Sequence, residues 1–445
     1  MSHDQLESAL RERLKQNLES GISQGIFPGG IATLARDGLP AITVAVGKTE
    51  GAQDEQEQAF GSVEEPNMTS PASSASPADS SKHGDAKKDG IEVDANTMYD
   101  MASLTKVMVA LPLVLLSVQE GRLSLTDSVT RHLPELEEGT DATTKRKITL
   151  LHLLTHTSGL PAWCPFFLYA RGVKEYLRLI AAEAMTGTPG KQVVYSDLGF
   201  MLLGFILERA WDEPLDQLAQ RLIFQPSGMT RTCYLPLQHD GLDVSAIAPT
   251  ENGNAYEQNM ARQQLIQEEA LGLPSARELS ERLACFDWRR GIIRGSVHDC
   301  NAYHGLDGVS GHAGLFSTSA DTERYMRIWT SNESPVRIDP VLRATAVRSH
   351  TGELAPMRAL GWEASATGGT LEQMAAGCTG GDVLSSQAFG HTGFTGTSIW
   401  RDPARGATLI ILTNRVHPTV SSLIGPWRRS VCNQLFSLIG TAGSS

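Results

Sequence analysis

No stretch of this sequence reaches the roughly 18 consecutive apolar residues that a bilayer-spanning helix needs. The nearest approach, "VMVALPLVLLSV", is too short and contains Pro112. No membrane span is expected. The N-terminus, "MSHDQLESALRERLKQNLESG", lacks the basic start, apolar stretch and small-residue cleavage site of a signal peptide, so the expected location is the cytoplasm. No C-x-x-C pair occurs among the cysteines at 164, 233, 285, 300, 378 and 432, which removes support for a zinc cluster or a thioredoxin-like motif. Reduced, mostly buried thiols are the expectation. Excess positive charge is also missing. The net charge is −12 over 445 residues, which favours solubility and argues against a nucleic-acid partner. No internal repeat is seen.

What is present suits a globular chain with a substantial core, since 41% of the residues are hydrophobic. Leu6, Leu10, Leu14 and Leu18 recur at helical spacing, which predicts a helix over 4–22. "GGIATLARDGLPAITVAVG" reads as two strands around the Asp37-Gly38 turn. From about 50 to 90 the chain is rich in Ser, Pro, Ala, Asp and Lys and has almost nothing to bury, so a disordered insertion is expected there.

A mainly helical middle follows. "TLLHLLTHTSGLP" predicts a short helix with Thr149 as N-cap and Gly159 just past its end. "SDLGFMLLGFILERAW" predicts a strongly apolar helix with Asp197 as N-cap. "EPLDQLAQRLIFQPSGM" predicts one ending near Pro226, and "STSADTERYMRIW" one with a polar cap. Two β-rich runs surround the Asp402–Gly406 turn, and a closing helix covers roughly Pro426–Ile439. Strands and helices at both ends imply one sheet built from both termini, with a helical region inserted between them.

The chemistry centres on "YDMASLTKVMVAL". Ser103 and Lys106 are spaced S-x-x-K, and positions i and i+3 share a helix face. A serine hydroxyl is a poor nucleophile until a neighbour takes its proton. A lysine partly desolvated by the following apolar run could do so, because burial favours its neutral form. A helix start also offers unpaired N–H groups to developing negative charge. Alone the pattern is weak, because Ser and Lys are common. Two further pieces strengthen it. "VVYSDLGF" places Tyr195 just before a helix, and "FGHTGFTG" places His391, Thr392 and Gly393 at the start of a strand. The order S-x-x-K, Y-S-D, H-T-G parallels a known signature of β-lactamases and penicillin-binding proteins.

On these residues the chain resembles the serine β-lactamase-like hydrolases of the class C type, a family that includes class C β-lactamases, D,D-carboxypeptidases, D-aminopeptidases and related esterases. "FPGGIATLARDG", "ITLLHLLTHTSGLP" and "GHAGLFSTSADTERY" are similar to family segments. "GSVHDCNA" is similar to the penicillin-binding-protein 4B-like branch. The resemblance implies an α/β (α+β) fold in which an antiparallel sheet flanked by helices stands beside a mostly helical region, with the site in the cleft between them. It implies one catalytic domain over 1–445 that needs no cofactor. Ser103 corresponds to the acylated nucleophile, Lys106 to the lysine that holds or accepts its proton, and Tyr195 to the proton shuttle. His391, Thr392 and Gly393 correspond to the strand motif facing the substrate. The N–H groups of Ser103 and Phe394 correspond to the oxyanion hole, the kind of preorganised donor pair that supplies a large catalytic term.

Two departures shape the substrate expectation. Class C β-lactamases carry Lys at the position of His391 and Asn at that of Asp197. A neutral His391 would hold a β-lactam carboxylate less well, and Asp197 would favour protonated Lys106 and repel an anion. Cleavage of a small ester or amide is therefore favoured over β-lactam or D,D-carboxypeptidase activity. A non-catalytic sensor on the same fold would be expected to have lost one of the three central residues. No metal is expected. His152 and His156 have no Glu between them, and the cluster His298, Asp299, His304 and His312 is accounted for by the resemblance. Arg289, Arg290 and Arg294 form a small basic patch, solvated or in contact with a substrate carboxylate.

Overall fold

The computed structural model describes residues 3–50 and 90–440. The expected disorder between 50 and 90 lies almost wholly outside the described residues. A six-stranded antiparallel sheet has the order β2-β1-β9-β8-β7-β6. Its strands are β1 Gly29–Arg36, β2 Ile42–Gly47, β6 Glu363–Ala364, β7 Phe389–Thr392, β8 Ser398–Asp402 and β9 Ala407–Thr413. The first hairpin thus pairs with the last strand (Ala32 opposite Ile411), and both chain ends build one sheet, as expected. A smaller three-stranded sheet, β3 Tyr99–Asp100, β5 Leu315–Ser317 and β4 Cys233–Tyr234, was not anticipated; its strands have only two or three residues each.

Alternation along the strands feeds two cores. Ala32, Leu34, Trp400, Leu409 and Ile411 face the terminal helices His3–Ser23 and Ile424–Ile439, against Leu10, Leu14, Trp427 and Leu435. Ile31, Ile399, Ile410 and Leu412 face the helical region. With both faces covered, "ATLIILT" must be apolar at nearly every position, which is why it reads as a continuous run. In the helical region the helix Asp197–Trp211 buries every residue from Leu198 to Leu207, as a helix apolar all round must. All six cysteines are free, and only Cys285 is exposed.

Helix ends depart from expectation in three places. The helix beginning after Thr149 runs only Leu150–Leu154. His152 closes a capping box with Thr149, and the first left-handed residue after the helix is His156 (φ 57°), with Gly159 (φ 76°) three residues further on. Ser196, not Asp197, caps its helix by accepting from the Gly199 N–H (3.3 Å). The closing helix starts at Ile424, two residues before Pro426, so the proline still falls in the first turn. Among the helices not expected are Ala255–Ala270, which borders the cleft through Tyr256 and Met260, and Ser275–Cys285, which packs against that helix. The first buries Glu257 and Ala261 and shows no apolar stripe to a sequence reading.

Candidate active site

The turn that carries Ser103 is shaped by Asp100, at the end of β3. Its buried carboxylate accepts from the N–H groups of Ala102 and His298 (2.8 Å each). Burial raises its pKa, and the two N–H donors oppose that rise. Ala102 sits in left-handed conformation (φ 46°), unusual for a residue with a Cβ. Three tight bonds then lead the chain toward the helix: Leu104 N to Met101 O (3.0 Å), Thr105 N to Ala102 O (3.0 Å) and Lys106 N to Ser103 O (3.1 Å). Ser103 therefore precedes the helix, whereas Lys106 opens a π-helical turn, Lys106–Ala110, that runs into the helix Leu111–Gln119. Such turns recur at functional sites.

The two side chains meet. Lys106 Nζ lies 2.9 Å from Ser103 Oγ, 3.1 Å from the His312 carbonyl and 2.7 Å from Asp197 Oδ1. The lysine is fully buried. Burial pushes its pKa down, but the charges and hydrogen bonds of Asp197 and Tyr195 outweigh that, and the net shift is upward. The shift runs in the direction expected from Asp197 and outweighs the desolvation expected to favour the neutral form, so Lys106 is an ammonium that donates to the serine. Asp197 can reach it because Ser196 has taken over the capping role. The His312 carbonyl can reach it because Gly311 rests on the helix Asp197–Trp211, where an added Cβ would lie 2.3 Å from the Phe200 carbonyl.

Tyr195 is packed among rings and cations. The tilted His156 ring lies at 4.3 Å and His391 at 5.9 Å, centroid to centroid. Lys106 Nζ and the Arg358 guanidinium lie 5.0 and 5.4 Å from the tyrosine ring. His156 accepts from the Ser196 N–H (3.0 Å), and burial drives its pKa well down, so it is a neutral ring that positions the tyrosine.

His391 and Thr392 end strand β7 instead of starting one, and Gly393 follows them. His391 is buried, and its Nδ1 pairs with the Thr392 carbonyl (2.9 Å). Burial first, then the charges of Arg358 and Lys106, hold its pKa far below the usual histidine range, in keeping with the neutral ring expected. At Gly393 an added Cβ would lie 2.1 Å from Thr397 Oγ1 and 2.5 Å from the Met101 carbonyl, so only glycine lets this strand end lie against the Ser103 turn. Among the described residues, no acceptor pairs with the backbone N–H of Ser103 or of Phe394. These are the two donors expected for an oxyanion.

Ser103, Tyr195, Asp197, His312, His391, Thr392, Gly393 and Phe394 border one cavity of about 440 Å³, with Lys106 just behind Ser103. One wall is aromatic and apolar, with Trp163, Tyr256, Met260 and Phe394; the Tyr256 and Phe394 rings lie 4.7 Å apart. Another carries Glu257 and Asp299. Arg358, Arg415 and Arg428 also line it. These arginines are cations that the comparison at His391 alone did not reveal. The three arginines come from "APMRALGW", "TNRVHP" and "PWRRSV", separate segments with no shared pattern, so only folding reveals that they converge.

The metal-like residues are otherwise engaged. His298 pairs with Glu251 (2.9 Å), and His312 bridges Asp299 (3.1 Å) and Ser310 (2.7 Å). His304 packs among Phe167, Phe286 and Tyr303. Among the described residues no group of three His, Cys, Asp or Glu could hold a metal ion. Of the proposed basic patch, Arg289 holds Asn254 and the Val297 carbonyl (2.7 Å each), and Arg294 holds the Ile247 carbonyl and Glu50. Neither these two nor Arg290 lines the cavity. No helix among the described residues is long and apolar enough to cross a membrane.

An N-acetylmuramyl-L-alanine amidase of Bacillus subtilis is 32% identical over 343 residues, covering 74% of this chain and 70% of the relative. A putative D-alanyl-D-alanine carboxypeptidase of Escherichia coli is 29% identical, covering 74% and 72%. In structure the chain is similar to EstCE1, a hydrolase with promiscuous acyltransferase activity (TM-score 0.64, 19% identity, 96% and 99% covered). It is equally similar to a class C β-lactamase (TM-score 0.64, 17% identity, 98% of each chain). The β-lactamase family model matches residues 16–430, and the chain belongs to the β-lactamase family of serine hydrolase-like proteins.

Proposed function

We propose that this protein is a serine hydrolase that cleaves an ester or amide bond of a small molecule through an acyl-Ser103 intermediate. The observation that carries the reading is the Ser103 Oγ–Lys106 Nζ contact of 2.9 Å at a cavity edge beside two unpaired backbone N–H groups. The relatives named as an amidase and a carboxypeptidase favour an amide.

Chemically, Ser103 Oγ attacks the carbonyl carbon, and the N–H groups of Ser103 and Phe394 receive the developing oxyanion. Lys106 is an ammonium at rest, so it acts by relay. It takes the serine's proton as it passes one of its own toward Tyr195, and Tyr195 delivers a proton to the leaving group. The serine proton thus ends on the departing atom, with Lys106 and Tyr195 unchanged in net protonation. Water then attacks the acyl carbon, its proton returns along the same route to Ser103 Oγ, and the acid is released. A fluorophosphonate probe should add one mass increment to the intact protein, and Ser103→Ala should abolish it. Undiminished labelling of Ser103→Ala would remove the assignment.

A further inference from the structure

The turn that carries the Phe394 N–H closes with two bonds, Gly393 N to Thr397 O (2.8 Å) and Gly396 N to Gly393 O (3.2 Å), the second at the long end of the usual range. Both engage Gly393 and reach Phe394 only through the peptide they share. What grips Phe394 comes from elsewhere in the chain. Arg415, two residues past strand β9, donates from Nε to the Phe394 carbonyl (2.6 Å) and from Nη1 to the Ser421 carbonyl (2.8 Å). The same guanidinium lies over the Phe394 ring, 4.2 Å from its centroid. Tyr256 (4.7 Å) and His298 (5.6 Å, interplanar angle 27°) are the ring's aromatic neighbours. One carboxylate ties those two together: Glu251 accepts from the Tyr256 N–H (2.9 Å) and pairs with His298 Nε2 (2.9 Å). Phe394 is thus held at its carbonyl and at its ring, while no acceptor among the described residues takes its N–H.

That double grip decides where the N–H points. The N–H and the carbonyl of Phe394 belong to two planar peptides that meet at its Cα, so fixing the carbonyl and the side chain leaves little rotation for the N–H. A charge-assisted bond is roughly twice as strong as a neutral one, and a cation over a ring face adds to it. An oxyanion donor works only if it is in place before the charge develops. Building on the acyl-serine reading, we propose that Arg415 is a positioning residue of the oxyanion hole: it aims the Phe394 N–H at the substrate carbonyl oxygen and touches no reacting atom. A lysine would keep the charge there but lose the planar fork that bonds a carbonyl and stacks on a ring at once.

The test compares phenyl butyrate with its thionoester, in which sulfur replaces the carbonyl oxygen. Sulfur accepts hydrogen bonds weakly, so an intact oxyanion hole favours the oxygen ester. The full-length protein should prefer the oxygen ester more strongly than hydroxide does in solution. In Arg415→Met, kcat for that ester should fall about tenfold to a hundredfold with KM little changed, and the preference should drop toward that of hydroxide. Arg415→Lys should shift both quantities the same way and by less, and it serves should Arg415→Met fail to fold. A preference that does not move in the folded variants, a change confined to KM, or a wild type no more selective than hydroxide would overturn the role of Arg415 and leave the acyl-serine reading standing. Hydrolysis of neither ester by the folded wild type would overturn both.

Discussion

A lysine held between a hydroxyl, a carboxylate and a carbonyl keeps its proton although it is fully buried, because Asp197 and Tyr195 supply more than desolvation removes. A few ångströms of placement decide such contests, and a residue lining the cavity shows a different outcome. Glu257 is buried beside Asp299. Burial and that neighbouring charge raise its pKa from the ordinary 4.5 to about 7, although it accepts two bonds from the Cys300 N–H (2.9 and 3.1 Å). The sign follows from linkage. The folded protein holds this proton more tightly than the unfolded chain does, so the contribution is full below about pH 4.5 and is lost as pH rises through about 7. Glu257→Gln keeps an acceptor for Cys300 and removes the charge. The variant should gain stability relative to wild type by about 1–3 kcal/mol between pH 5 and pH 8. Urea melts at both pH values measure it; a difference that does not change with pH would rule out a buried, raised carboxyl.

Among the elements, the end of strand β7 is the most tightly constrained. Its position depends on Gly393, whose missing Cβ lets the backbone lie against the Met101 carbonyl and Thr397. Neither the carbonyl nor the turn behind it can rotate away, since Thr395 and Thr397 hold the Asp100 and Met101 carbonyls (2.6 and 3.2 Å). Gly393→Ala should cost about 1–3 kcal/mol through overpacking. It should also lower kcat/KM at least about tenfold, by moving the Phe394 N–H away from the carbonyl that Ser103 attacks. Full activity with an unchanged Tm would show that the strand end is free to shift. The glycine itself was legible in the sequence, but its reason was not. One clash partner, the Met101 carbonyl, lies nearly three hundred residues earlier in the chain, and the other, Thr397, is brought back onto Gly393 only by the turn that follows the strand. Caps went astray for a related cause. Ser196 and Asp197 are both good capping residues, and only the buried lysine opposite determines that Asp197 is put to another use.

At the scale of the molecule, the chain leaves strand β2 and returns beside it. Thr49 N donates to the Ile91 carbonyl (2.8 Å) and Val93 N to the Gly47 carbonyl (2.9 Å), and Lys48 bridges antiparallel to Glu92. The points of departure and return are thus a hairpin's width apart. Replacing 51–89 by four Gly/Ser residues should keep the fold and the hydrolysis. It shortens the loop by about three doublings, which should raise stability by up to about 2 kcal/mol and raise Tm by a few degrees. A fall of more than about 8 °C would show that the segment packs on the rest of the protein.

Sequence alone determined the ordered motifs around Ser103, Lys106, Tyr195 and His391, the family they resemble and the sheet drawn from both termini. These rest on local signals: i to i+3 spacing, strand alternation, turn residues and long apolar runs. The tertiary structure decided the capping by Ser196, the helix Ala255–Ala270 with its buried carboxylate, and the gathering of Arg358, Arg415 and Arg428 around one cavity. Each depends on desolvation or on charge acting through space between residues far apart in the chain, and neither leaves a periodic trace along it.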